Sequence, residues 1–233
     1  MSSYYDYNWS CTDSSPLVER TKRRKTQNGN YTEIQDTDNT SIDMNKAGVL
    51  QSENVYIYSV GNEIHFSSPI TLESIQKIIM EIQKIIITHL KKSKNEKLVI
   101  SITIDSPGGS VLSVLKYVDF INIVKKKYKN IEFVSIITGL AASAGTIMAL
   151  CAHKCCMTNN AYAMIHELSS GNAGKFTFLT SHMEFINKLH DKLVAIYVIA
   201  TGKNKTEIEN LMKNETWFSA EEYKKIGFVS EII

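Results

Sequence analysis

The sequence predicts an α/β domain whose sheet is largely parallel. Short apolar runs alternate with stretches of helical periodicity along most of the chain, which is the pattern of repeated strand–helix units. One run, 98–104, is a nearly continuous series of aliphatic and β-branched residues, as expected of a strand buried on both faces. With 43% apolar and 21% charged residues, the composition is also globular. A chain that is disordered throughout is therefore excluded.

The N-terminal part has a different composition from the rest. Residues 1–53 are dominated by Ser, Thr, Asn, Asp and Gln and contain few large aliphatic side chains, so they bury too little surface to offset the entropy of ordering. We expect a disordered polar extension over 1–53 and a folded domain over 54–233. The extension carries a basic cluster within 20–25, which favours a solvated charge run over a nuclear address or an anion-binding patch.

The folded part begins with two short strands, predicted at 55–60 and 64–66. A helix is predicted over 71–90, because isoleucines recur there at helical spacing and form one apolar stripe that faces the sheet. A polar connection leads to the strand at 98–104. The same alternation then predicts a helix at 110–128, a strand at 131–138, a helix at 143–152, a strand at 162–165, helices at 176–200 and 205–213, a helical turn at 220–225 and a last strand at 228–233.

Charge and cysteine content limit the class of partner. The 26 Lys and Arg residues nearly balance 24 Asp and Glu residues, which argues against a surface for nucleic acid. No stretch approaches eighteen consecutive apolar residues and no secretory signal is recognisable, so we expect no membrane partner and a cytoplasmic location. The cysteines, Cys11, Cys151, Cys155 and Cys156, are too sparse for a disulfide framework. We expect no cofactor.

Three of these cysteines fall close to His153, and this cluster could bind zinc. Cys151, Cys155 and Cys156 lie between a predicted helix and a predicted strand, and no second ligand pair occurs elsewhere in the sequence. Structural cysteines are favoured, and we predict no metal site.

Two glycine-rich turns follow predicted strands, at the edge where open α/β sheets place their ligands. They are 106–110 and 139–145, and neither has the spacing of a phosphate-binding loop. The second turn encloses Ser143 among very small residues at a helix start, where a substrate can approach and backbone N–H groups are unpaired. An ordinary N-cap role for Ser143 remains open on this pattern alone.

A third feature is His166, which closes the apolar strand at 162–165. Histidine is the side chain that can serve as a base near physiological pH, as serine hydrolysis requires. A structural role for a lone histidine at a strand end is the alternative. The serine turn, the oxyanion-type turn and the histidine together favour catalysis.

Four motifs in this order resemble those of the ClpP family, the proteolytic subunit of ATP-dependent Clp proteases, over about 54–233. They are Ile-Asp-Ser-Pro-Gly-Gly-Ser at 104–110, Gly-Leu-Ala-Ala-Ser-Ala-Gly at 139–145, Met-Ile-His at 164–166, and the closing turn at 218–228. The resemblance implies a ClpP/crotonase-like fold of repeated ββα units. It also implies a protruding helical handle that begins near 171–174 and joins rings.

The resemblance also implies roles at the site. Ser143 would be the nucleophile and His166 the general base, and the backbone N–H groups of Gly109 and Ala144 would form the oxyanion hole. Glu215 stands where the family has its orienting Asp, with Glu209 and Asp191 as alternative acids.

Two further positions depart from the family pattern. Asp105 replaces a common Asn, and Asn214 replaces an arginine that couples the rings. The contacts of the oligomer are therefore expected to differ.

The resemblance implies a serine endopeptidase that cleaves unfolded polypeptides inside a homo-oligomeric ring, such as a double heptamer. Its partner would be an AAA+ unfoldase. The alternatives are a catalytically inactive ring subunit, a crotonase-type acyl-CoA enzyme, and a signal-peptide-peptidase-like protease with a lysine base. The last is disfavoured by His166.

Overall fold

The structure, a computed structural model, describes residues 23–25, 31–33, 56–93 and 95–233. Two three-residue strands, β1 (Arg23–Lys25) and β2 (Tyr31–Glu33), pair antiparallel in a small unit of their own. The rest of the predicted 1–53 extension lies outside the described residues. The remaining elements form the α/β domain.

The domain alternates strands and helices from its first element to its last. In chain order they are β3 (Tyr56–Val60), β4 (Glu63–Ser67), α1 (Leu72–Lys92), β5 (Leu98–Ser106), α2 (Val111–Lys127), β6 (Ile131–Ala142), α3 (Ala144–Leu150), β7 (Lys154–Met157), β8 (Tyr162–Ile165), α4 (Phe176–Thr201), α5 (Lys205–Lys213), β9 (Thr216–Ser219), α6 (Ala220–Lys225) and β10 (Glu231–Ile232).

These strands form one eight-stranded sheet in which most pairings are parallel. Its main path runs β10-β7-β6-β5-β4-β3, and only the pairs β3–β4 and β8–β9 are antiparallel. The long strand β6 pairs with β7 through 134–137 and then with β8 through 140–142. The predicted α/β fold with a largely parallel sheet is confirmed.

Helix α1 shows how the sequence builds the core. Thr71 and Ser74 form a capping box, in which each side chain accepts a hydrogen bond from the other residue's backbone N–H. The isoleucine stripe then lies against the sheet, with Ile75, Ile78 and Ile82 fully buried. Burying each such side chain stabilises the fold by about 1.5–3 kcal/mol.

Sequence periodicity missed two short strands and misjudged two ends. Strand β7 begins with a lysine and contains two cysteines, and β9 has four residues, so neither carries an apolar alternation long enough to recognise. Strand β6 continues past the predicted end at 138, through Gly139 at φ 74°, which sequence reasoning takes as a turn. The last strand is confined to Glu231–Ile232 within the predicted 228–233.

Helix α4 has two halves with different surroundings. Only Leu193, Val194 and Tyr197 in its second half are buried, whereas the first half is mostly exposed and includes Phe176, 83% exposed, and Met183, 58% exposed. The first half therefore projects from the domain, as the predicted handle does. Within the described ranges, no helix is long and apolar enough to cross a membrane.

Candidate active site

Ser143 occupies a strained junction between β6 and α3. Its backbone has φ 52° and ψ −123°, and it is the only residue other than glycine with positive φ in the described part of the chain. Such a conformation costs about 1–3 kcal/mol and persists only where the surroundings enforce it. Its side chain caps no N–H of α3, so the ordinary capping role left open by the sequence is wrong.

Strand β8 places His166 beside this serine. Ala142, at the end of β6, pairs with Met164, and the N–H of Ser143 donates to the carbonyl oxygen of Met164 over 2.8 Å. His166 follows two residues later. Ser143 and His166 face one small, largely apolar cavity, whose lining comprises Val111, Ser143, Ala144, Ile147, His166, Leu193, Tyr197 and Met212.

The pairing of β8 with β9 brings Glu215 to the same place. Ile165 and Thr216 are the last pair of this antiparallel ladder, so His166 and Glu215 leave it at the same end. The pKa of His166 is lowered from its usual value, chiefly because burial disfavours the imidazolium, and the negative charge of Glu215 partly opposes this shift. Glu215 itself is exposed.

The two alternative acids are engaged elsewhere. Asp191 on α4 accepts a hydrogen bond from Lys205 over 3.0 Å, and Glu209 lies 3.6 Å from the same ammonium group. Of the three acids, Glu215 is the one whose charge acts on His166. Glu215, the position predicted from the sequence, is therefore close enough to His166 for its charge to act on the imidazole.

The other glycine turn packs directly against the serine turn. A Cβ on Gly108 would lie 2.6 Å from the carbonyl oxygen of Ala142 and 3.2 Å from the nitrogen of Ala144, which only glycine permits. Ala144 is the first residue of α3, where a backbone N–H has no partner within the helix. Among the described residues, the N–H of Gly109 makes no hydrogen bond to a backbone carbonyl. Both predicted oxyanion donors therefore lie on turns that meet at Ser143.

The polar residues of this turn have structural roles. The hydroxyl of buried Ser106 donates to the carbonyl oxygen of Ser68 over 2.8 Å, and Ser110 caps α2. Asp105 accepts a hydrogen bond from the N–H of Leu140 over 3.1 Å, next to Gly139, where the register between β5 and β6 shifts. These contacts make Ser106, Ser110 and Asp105 supporting residues of the two turns.

Sequence reasoning missed two hydroxyl groups behind the nucleophile. The hydroxyl of Thr146 donates to the carbonyl oxygen of Ser143 over 2.6 Å, and the hydroxyl of Tyr197 lies 2.6 Å from that of Thr146. Thr146 is one helical turn from Ser143, a spacing visible in the sequence. Its contact with α4 could not be read from the chain.

The cysteines and the histidine of this cluster have structural roles. Burial raises the pKa of both Cys151 and Cys155 to about 12, so their thiols are neutral and poor ligands at physiological pH. His153 uses its Nδ1 to accept a hydrogen bond from the N–H of Phe133 over 2.9 Å. No group of three or more potential metal ligands comes together within the described ranges.

The sequence is similar to those of known proteins. A model of the family described as Clp protease matches residues 53–233. A protein named ATP-dependent Clp protease proteolytic subunit 1 from Chlamydia trachomatis is 32% identical over 174 residues, which cover 73% of this chain and 85% of that protein. The Chlamydia muridarum protein of the same name has the same identity and coverage.

A shorter match reaches a higher identity. The protein of that name from Protochlamydia amoebophila is 35% identical over 134 residues, which cover 56% of this chain and 63% of that protein. The family model covers more than half of the chain, and the chlamydial relatives exceed 30% identity over most of their length. The chain is therefore a member of the Clp protease (ClpP) family.

Proposed function

We propose that the chain is an active serine endopeptidase with Ser143 as nucleophile, His166 as general base and Glu215 as the orienting acid. The observation that carries this proposal is the strained Ser143 facing one cavity with His166, where the turn bearing Gly109 meets the start of α3. An inactive subunit would have no use for a strained serine beside a histidine. A crotonase-type acyl-CoA enzyme would not need this pair.

The chemistry follows from these positions. His166 takes the proton of the Ser143 hydroxyl as Oγ bonds to the scissile carbonyl carbon, and the carbonyl π electrons move onto its oxygen. The N–H groups of Gly109 and Ala144 donate to this oxyanion. When the intermediate collapses, the C–N bond breaks and His166 protonates the leaving amine.

The second half of the reaction regenerates the enzyme. Water attacks the acyl group on Ser143 while His166 takes its proton, and the ester C–O bond then breaks with return of a proton to Oγ. The lowered pKa of His166 favours the free base at neutral pH, as both attacks require. Glu215 would stabilise the imidazolium formed in each step.

We also propose a homo-oligomeric ring supplied by an AAA+ ATPase. The exposed apolar side chains on the first half of α4 support the ring, because a monomer would leave them in water. The names of the relatives, which state ATP dependence, support the ATPase.

Native mass measurement of the full chain and of the double variant Phe176→Asp, Met183→Asp tests the assembly. The variant should dissociate, and a monomeric wild type that cleaves peptides would contradict the ring.

A fluorophosphonate probe tests the catalytic proposal. It should label the wild type at Ser143 and leave Ser143→Ala unlabelled. Ser230→Ala is a matched control and should be labelled like the wild type, because the Ser230 hydroxyl only donates to the carbonyl oxygen of Cys155. Peptide hydrolysis by Ser143→Ala should fall by about 10⁶-fold with unchanged thermal stability. Near-normal turnover in that variant would refute the proposal, and thioester turnover without peptide cleavage would favour the acyl-CoA alternative.

A further inference from the structure

The backbone of Ser143 is held by three hydrogen bonds. Its N–H donates to Met164 in β8, and its carbonyl oxygen accepts from both the N–H and the hydroxyl of Thr146, over 3.0 Å and 2.6 Å. These bonds fix both peptide groups that flank the strained φ and ψ. A strained residue persists only under such constraint.

The hydroxyl of Thr146 has a second partner on a different element. Tyr197, on the buried half of α4, places its hydroxyl oxygen 2.6 Å from Oγ1 of Thr146. A threonine hydroxyl has one proton, and a carbonyl oxygen can only accept. Because Thr146 gives its proton to Ser143, Tyr197 must be the donor to Thr146.

The resulting chain of hydrogen bonds is fully buried. Thr146 is 0% exposed and Tyr197 2% exposed, so water does not replace a lost partner. We infer that Thr146 and Tyr197 are positioning residues, which hold the strained Ser143 backbone through the relay from the Tyr197 hydroxyl to Thr146 and on to the Ser143 carbonyl. This inference rests on the proposed role of Ser143 as nucleophile.

Thr146→Val and Tyr197→Phe each remove one hydroxyl from the relay. We expect kcat to fall by roughly 10- to 100-fold with little change in KM, because a nucleophile misplaced by about 1 Å costs about 10²-fold. The position of the acid limb of the pH profile should not move, since His166 is untouched. Thr146→Ser keeps the hydroxyl and should restore most of the rate.

Matched variants separate positioning from general loss of stability. Thr158→Val removes a hydroxyl that donates to Ile137, and Tyr117→Phe removes one from a buried tyrosine on α2. Both should keep wild-type kcat. If Thr146→Val does not fold, Tyr197→Phe still tests the relay, because it retains the packing of the ring.

Amide hydrogen exchange provides a readout that does not depend on activity. Exchange at the N–H of Ser143 should be faster in Thr146→Val and Tyr197→Phe than in the controls, even if the wild type cleaves no peptide. Failure of the proposed function therefore leaves this measurement intact. Wild-type kcat together with wild-type exchange in both relay variants would overturn the inference.

Discussion

Replacing Glu215 by Gln tests the acid that is proposed to orient His166. The change keeps the size of the side chain and removes the charge that raises the pKa of His166. Because Glu215 is exposed, solvent screens this interaction, and exposed ion pairs contribute about 0.2–1 kcal/mol. The acid limb should therefore move to lower pH, by the small amount that such a weak interaction allows.

The rate should fall as well. A carboxylate accepts the imidazole N–H and fixes the tautomer, whereas an amide can present its NH₂ group and favour the wrong one. In trypsin the comparable change at a buried aspartate costs about 10⁴-fold in kcat. Since Glu215 is exposed, we expect a smaller loss, on the order of 10- to 100-fold.

The assay is kcat/KM for a fluorogenic peptide between about pH 5 and pH 9. Asp191→Asn and Glu209→Gln serve as controls, because both acids pair with Lys205 and should be replaceable without effect on the limb. Glu215→Ala should resemble Glu215→Gln. If Glu215→Gln keeps both the wild-type rate and the wild-type limb, the assignment is wrong, and the site is a Ser-His dyad or uses another acid.

Three further predictions concern stability. Gly109→Ala should lower the free energy of unfolding by about 1–3 kcal/mol or more, because Gly109 has φ 142° and a Cβ there would lie 2.4 Å from the carbonyl oxygen of Ile70. Gly171→Ala is the control, since a Cβ there would enter open space, and thermal unfolding should show it to be neutral. Burial lowers the pKa of His153 in the folded state, so the contribution of this residue to stability should be fully present above about pH 6.5 and be lost as pH falls towards the folded-state pKa; equal pH dependence in His153→Asn would contradict this. The buried hydroxyl of Tyr223 interacts with that of Thr146 but forms no hydrogen bond of good geometry within the described residues, so Tyr223→Phe should change stability by less than about 1 kcal/mol, and a larger loss in urea unfolding would contradict this.

Elements with long, regular periodicity could be predicted from the sequence, and short ones could not. The isoleucine stripe of α1 and the apolar run of β5 each determine their own conformation through burial. Strands β7 and β9 exist because neighbouring strands offer them hydrogen-bond partners. Such tertiary pairing leaves little trace in four residues.

The same division applies to the candidate site. Ser143 and His166 stand out by residue type and by motif, and Glu215 by its place before the closing turn. The relay of Thr146 and Tyr197 joins residues 51 positions apart in the sequence, on helices whose relative position is set by packing. No periodicity or motif encodes that contact, so only the fold reveals it.

Strand β8 has only four residues, yet it is connected to all three proposed catalytic residues. One of its edges supports Ser143 through Met164, the other pairs with the strand that follows Glu215, and its end carries His166. Thermal displacement of β8 would thus carry all three groups together and leave their separations nearly constant. A one-residue slip between β8 and β9 would instead place Asn214 or Thr216, depending on its direction, opposite His166 in place of Glu215. Small thermal motions of β8 would therefore preserve the site, whereas a change in the register of β8 and β9 would disrupt it.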